Sequence, residues 1–178
     1  VDTIVTCDNG IAAAGQIGRA KELGMTVIVT DHHEVPYREE GGERLEFLPP
    51  ADAVINPKQR SCGYPFKLLC GAAVAACLIC ALYDRFSVDP AEKEALLEYE
   101  AIATIGDVMD LVGDNRILVK EGLKRLHHTE NYGLQALCEV NALTADQITP
   151  YHIGFVLGPC LNASGRLDTA RKALQLLW

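Results

Sequence analysis

Two adjacent histidines follow an aspartate in Thr30-Asp31-His32-His33-Glu34, directly after the apolar run of residues 26–29. Imidazole and carboxylate both lose hydration when buried and need partners, so the triplet is a poor way to finish a core strand. It suits the start of a metal site. Neutral imidazole binds transition metals, and a neighbouring carboxylate can fix which ring nitrogen faces the ion. The same residues also fit a turn capped by Asp31 with both histidines exposed. The stretch alone leaves the two readings open.

The elements that must position these residues come from the first sixty residues. Residues 4–7 are a short β-branched run ending in Asp8-Asn9-Gly10. Asn-Gly often marks a hairpin. Here, however, Ile11, Ala14, Ile17, Ala20 and Leu23 follow at helical spacing, which favours strand, turn, helix. Gly24 ends that helix and residues 25–29 form the next strand, so the first thirty residues read as one βαβ unit. A right-handed crossover makes its strands parallel neighbours. Asp8 and His32 then stand at equivalent strand ends, on the edge where open α/β sheets bind ligands. Residues 34–52 are charged and rich in Gly and Pro, a surface excursion. Residues 53–55 are a third strand, closed by Asn56-Pro57.

From Lys67 the pattern is largely helical, over residues 67–86, 90–105, 115–128, 133–140, 146–157 and 168 to the end. Asp89 and Pro90 suit a cap and first helical position. Strands alternating with helices early, then helices alone, predict an α/β sheet with a mostly helical extension. Two stretches interrupt the helical pattern. In Gly106-Asp107-Val108-Met109-Asp110, Asp107 fits a helix C-terminal position or an N-cap. Residues 158–168 combine Gly158, Pro159 and Gly165 with Asn162, Ser164 and Arg166. That set suits either a loop whose amides and guanidinium approach an anion or a plain helix connection with Asp168 as N-cap.

Composition narrows the classes. The 178 residues are 49% hydrophobic, enough for a core, and fit one ordinary domain or a domain plus part of another. A net charge of -8 argues against a surface that attracts nucleic acid or anionic membrane over most of its area. The longest apolar run, residues 68–83, is short of the roughly 20 residues needed to span a bilayer and predicts a buried helix, with no membrane partner. No basic n-region with a following cleavage site opens the sequence, so a secretion signal is not expected. Seven cysteines without a small-domain spacing pattern predict a reduced, cytoplasmic protein. Cys70, Ala73, Cys77 and Cys80 fall at helical spacing and are expected to pack in the core rather than bind zinc.

Taken together, Thr6-Cys7-Asp8-Asn9-Gly10, Thr30-Asp31-His32-His33, Gly106-Asp107-Val108 and Gly158-Pro159-Cys160-Leu161-Asn162-Ala163-Ser164-Gly165-Arg166-Leu167 resemble the ordered motifs of the DHH phosphoesterase superfamily. The text between them, including Val54-Ile55-Asn56-Pro57-Lys58 and Asn115-Arg116-Ile117-Leu118, resembles its exonucleases for single-stranded DNA. The resemblance covers nearly the whole chain. It implies a parallel Rossmann-like sheet, with residues 1–112 as the DHH core and 113–178 as a helical connecting part. It implies metal-dependent phosphodiester hydrolysis from the 5′ end of single-stranded DNA in recombination and repair, using two ions, Mn2+ or alternatively Mg2+. By the same resemblance Asp8, His32 and Asp107 would bind metal, and His33 would contact the scissile phosphate. Asp31 would orient His32, while Asn162 and Arg166 would hold a DNA phosphate.

The family's first motif, an Asp-x-Asp cluster on a preceding strand, does not occur in the sequence and is expected N-terminal to Val1. The C-terminal DHH-associated and nucleic-acid-binding domains are also absent. The chain is therefore expected to be cut from a longer one, inactive or nearly so alone, and weak in binding Mn2+. The alternatives are a DHH phosphodiesterase for short oligonucleotides or cyclic dinucleotides, a manganese pyrophosphatase, or a non-catalytic α/β binding module.

Overall fold

The computed structural model describes residues 1–167 and 169–178, with the side chains of Ser164, Arg166 and Leu167 outside that description. It contains two compact units, Val1–Ser87 and Val88–Trp178.

The first unit begins with the expected βαβ unit. Strand β1 (Thr3–Cys7) leads through helix α1 (Ala14–Glu22) to β2 (Thr26–Thr30). The strands pair in parallel, with Cys7 opposite Thr30. Strand β5 (Ala53–Ile55) pairs in parallel on the other side of β2, giving the order β1-β2-β5. Alternation along the strands and the 3.6-residue period of α1 meet in one cluster, Ile17, Ala20, Val27 and Val29, flanked by Ile4, Met25 and Val54. The turn after α1 is held by Lys21, which donates to Met25 O at 3.0 Å and reaches Asp52 at 2.6 Å. Asp52 also accepts from Val27 N–H.

The surface excursion contains structure that the sequence reading passed over. Strands β3 (Tyr37–Glu40) and β4 (Glu43–Glu46) form an antiparallel hairpin. Gly41 and Gly42, at φ +62° and +83°, supply the two left-handed residues of a tight hairpin turn. The Arg44 guanidinium lies 3.6 Å from the Tyr37 ring centroid, a contact that covers one side of an otherwise exposed ribbon.

Helix α2 runs over Gly71–Phe86, starting later than expected because Cys70 is extended and serves as the N-cap. Only its first half is core. Ala73, Val74 and Ala76 are buried, whereas Cys77 and Phe86 are exposed. The expectations of a fully buried helix and of Cys77 as a core residue are therefore corrected. A helix that is apolar all round exceeds what a three-stranded sheet can cover on one side.

The second unit is helical: α3 (Pro90–Gly106), α4 (Gly113–Leu126), α5 (Tyr132–Val140), a 3-10 turn (Ala145–Gln147), α6 (Pro150–His152), a π turn (Ile153–Leu157), α7 (Gly158–Leu167) and α8 (Arg171–Leu177). Asp89 caps α3 by accepting from Ala91 N–H at 2.9 Å, with Pro90 at the first position. Leu126, Leu134, Cys138, Ile148, Ile153 and Leu157 form the core. Gly122 lets α4 close on α3, since a Cβ there would overlap Leu97 O and Ala101. The loop considered for residues 158–168 is instead α7. A proline inside a helix clashes with the carbonyl four residues earlier. Here the wider π turn immediately upstream accommodates Pro159. Asp168, expected as the N-cap of the last helix, lies outside the described residues, and α8 starts later than expected, at Arg171 after Ala170. No helix among the described residues is long and apolar enough to cross a membrane.

Candidate metal centre

The carboxyl ends of β1 and β2 carry the first two motifs side by side. After Cys7 the chain turns sharply at Asp8, whose φ of +57° costs a non-glycine residue about 1 kcal/mol. A threonine pair holds the turn. Thr30 Oγ1 donates to Thr6 O at 2.7 Å, and Thr6 Oγ1 donates to Asn9 O at 2.5 Å. Gly10 completes it at φ +116°, where a Cβ would sit 2.9 Å from Thr6 Oγ1 and 3.0 Å from Val29 Cγ1. Opposite, α2 begins against Asp8. A Cβ on Gly71 would fall 2.5 Å from Asp8 Oδ1 and 2.6 Å from its Cγ.

The geometry brings Asp8, His32 and His33 together. His32 is buried, with Nε2 3.0 Å from Asp8 Oδ1, and His33 Nδ1 lies 3.9 Å from the same oxygen. One ligand atom from each of the three residues falls within 4.8 Å of the others. Neither Cys77 nor Cys80 belongs to this cluster. One carboxylate oxygen with two imidazoles is a donor set that fits Mn2+ better than Mg2+, which prefers oxygen ligands throughout.

Asp31 organises the pair from beneath. Its carboxylate is buried and accepts from Ile11 N–H at 2.9 Å, His32 N–H at 2.8 Å and His33 N–H at 3.2 Å. Its Oδ1 also lies 2.7 Å from His33 Nδ1. Burial is the largest influence and opposes ionisation. The bonds from Ile11, the His33 ring and the two histidine amides nevertheless hold the carboxyl below its usual range. The ring that Asp31 grips is therefore that of His33, while His32 is reached through its backbone amide. The expectation was that Asp31 orients His32, and its contact with that residue is the bond to the backbone N–H. A His33 Nδ1–H donated to Asp31 leaves the lone pair of the neutral ring on Nε2.

Asn56, at the end of β5, is a further positioning residue, which the sequence offers as a strand end and as part of the exonuclease-like text but not as part of the site. It is buried, donates from Nδ2 to His33 O at 2.9 Å, and accepts from Lys58 N–H at 2.8 Å. A polar residue before proline at a strand's carboxyl end was the available signal. Beside Asp8, burial pushes the Cys7 thiol up, and the charges of Asp8, Cys70 and Asp31 push it further. Both influences disfavour the thiolate, the form a nucleophile needs.

The later motifs lie in the second unit. Asp107 is the C-cap of α3, its N–H donating to Ala103 O at 2.9 Å. The left-handed position after the helix is taken by Val108, at φ +56°, a conformation uncommon for a β-branched residue. Gly106 and Asn162 line one cleft of about 290 Å³ with Gly154, Gly158, Pro159 and Ala163. The third and fourth motifs thus converge within that unit. The Arg166 side chain, expected on a phosphate, lies outside the described residues.

The sequence profile described as the DHH family, N-terminal domain, matches residues 2–105. The chain is 39% identical over 185 residues to the single-stranded-DNA-specific exonuclease RecJ of Haemophilus influenzae, covering 99% of this chain and 31% of that protein. It is 40% identical over 174 residues to the Bacillus subtilis RecJ, covering 98% and 20%. Among solved structures, exonuclease RecJ bound to manganese superposes with a TM-score of 0.80 at 34% identity, covering 99% of this chain and 41% of that one. RecJ of Thermus thermophilus in complex with Mn2+ gives 0.79 at 34%, covering 99% and 24%. The chain thus spans between a fifth and a third of these curated relatives. With its parallel sheet, its aspartate and histidine pair on one sheet edge, and the profile matched over more than half its length, the chain belongs to the DHH family.

Proposed function

We propose that the chain is part of the catalytic core of a metal-dependent phosphodiesterase that removes nucleotides from the 5′ end of single-stranded DNA in recombination and repair. The observation that carries this reading is the convergence of Asp8, His32 and His33 at the carboxyl ends of two parallel strands. The likeness to RecJ proteins over nearly the whole chain supports the substrate class. In this reading Asp8, His32 and Asp107 hold metal, Mn2+ or else Mg2+, with two ions in the complete enzyme. Bound ions would supply positive charge against the phosphate and make a coordinated water more acidic. His33, held at Nδ1 by Asp31, turns Nε2 towards the substrate, and the ring can donate from there to a phosphate oxygen when Nε2 also carries a proton. Asn162 and Arg166 hold a phosphate further along the strand. Residues 1–112 act as the DHH core and 113–178 as a helical connection. The seven free cysteines support a cytoplasmic setting.

The cluster contains a single carboxylate, too few for two ions. Alone, the chain is expected to bind Mn2+ weakly and to hydrolyse DNA at background rates. Calorimetric titration with Mn2+, before and after Asp8→Asn, tests the centre, and unchanged affinity in the variant would remove it. Robust processive digestion of a 5′-phosphorylated single strand by the 178 residues, abolished by Asp8→Ala, would refute the expected inactivity.

A further inference from the structure

The helical stretch from Pro150 to Leu167 has two contrasting faces. Ile153 and Leu157 are fully buried in the core of the second unit. On another face Tyr151 is 64% and Phe155 71% exposed. Pro159 and Asn162, also exposed, continue the same stripe at helical spacing. The Tyr151 and Phe155 rings are stacked, centroids 5.0 Å apart and planes 29° from parallel. The His152 ring meets Tyr151 edge-on at 5.8 Å. His152 is itself fixed by Thr149, whose N–H donates to its Nδ1 at 3.1 Å. The stripe runs into the glycine-lined cleft that Pro159 and Asn162 share with Gly106.

Single exposed aromatic residues are ordinary. Two rings already stacked on one face are different, because they lose little further freedom when a flat partner covers them. Charge narrows the occupant. The chain carries 24 Asp and Glu residues, yet none lies between Asp146 and Asp168. A π-rich stripe with no carboxylate of its own, leading into a cleft lined by three glycines and a primary amide with Asp107 the one acidic neighbour in sequence, suits a strand whose unpaired bases stack while its phosphates stay towards solvent.

We propose that Tyr151 and Phe155 form a stacking platform for unpaired nucleobases, from which the strand enters the cleft beside Asn162. This rests on the reading of single-stranded DNA as substrate, but not on the chemistry at Asp8.

The test is fluorescence anisotropy with a labelled oligothymidylate and an abasic strand of equal length, both in EDTA. The unmodified chain should bind the thymidine strand more tightly than the abasic one. Phe155→Ala should weaken thymidine binding about 5- to 150-fold and leave abasic binding unchanged. Phe155→Leu keeps an apolar side chain and should show the same loss, whereas Phe155→Trp should restore binding. Equal affinity for the two strands in the unmodified chain, including no binding to either, overturns the proposal. So does a Phe155→Ala variant that still discriminates, or one that loses both strands alike. Manganese titration of Asp8→Asn reads the metal centre separately. Base discrimination without an Asp8-dependent metal site keeps the platform and removes the metal centre, and the reverse result removes only the platform.

Discussion

Replacing Gly71 by alanine tests whether α2 sets the position of Asp8. The added Cβ would lie 2.5 Å from Asp8 Oδ1 and 2.6 Å from Cγ, whereas carbon contacts settle at about 3.5–4.0 Å. Roughly 1 Å of movement is therefore needed. Asp8 can yield little, because its left-handed turn is held by Thr6, Asn9 and Thr30. Overpacking of this kind costs about 1–3 kcal/mol. Against it stands the gain of about 0.5–1 kcal/mol from removing a helical glycine. The clash wins, and the net expectation is a loss of about 1–2 kcal/mol. The metal site should suffer more than the fold, since ligand geometry must hold within about 0.5 Å. Mn2+ affinity should drop about 10- to 100-fold. Gly15, in α1 with open space around its Cβ position, is the control. Gly15→Ala should add about 0.5–1 kcal/mol and leave Mn2+ binding unchanged. Urea unfolding gives the stability and calorimetry the affinity. Wild-type Mn2+ affinity in Gly71→Ala would refute the view that close approach of α2 positions Asp8.

Two further outcomes follow from buried carboxylates. Asp31→Asn keeps an acceptor but removes the charge that gathers the Ile11, His32 and His33 donors, and should cost about 1.5–3 kcal/mol in urea unfolding. Its companion effect, a weaker Mn2+ isotherm, would be absent if His33 were oriented by something other than Asp31. Glu100 is raised by burial from 4.5 to about 7, so the folded chain keeps its proton where the unfolded chain releases it. Stability should be full below pH 4.5, fall by roughly 3 kcal/mol as pH rises to 7, and level off above. Glu100→Gln should flatten that decline, and an unchanged pH profile of unfolding would contradict the assignment.

The half of the site on the sheet was legible because it depends on periodicities and handedness. Once residues 4–7 and 25–29 read as parallel strands around one helix, equal register followed, and Cys7 does stand opposite Thr30. Asp8 and His32 meet because each lies just beyond those ends. What escaped the sequence depends on contacts between distant backbones or on local relaxation. The clash that only a glycine at 71 avoids is invisible until α2 is seen to start against β1. The ring gripped by Asp31 is decided by side-chain directions in a three-residue turn, not by spacing. Gly158, Pro159 and Gly165 left residues 158–168 open between a loop and a helix connection, and the preceding π turn is what lets a helix run through Pro159 instead.

Of the four non-glycine residues with left-handed φ among the described residues, Asp8, Ser87, Val108 and Ala142, two, Asp8 and Val108, stand in the motifs. Neither position is glycine, although Gly10 and Gly106 are close by. Glycine would relieve the strain, but at position 8 it would delete the carboxylate that approaches His32. Holding Asp8 in this conformation therefore falls to its surroundings: the threonine pair, the Gly10 turn and the packed start of α2. Those groups are uncharged and do not bind metal, yet they determine where the carboxylate points. Strain held by neighbours that over-determine a turn is a recurrent feature of ligand sites. On this argument the rigidity of the centre resides in Thr6, Gly10, Thr30 and Gly71 as much as in the ligands themselves.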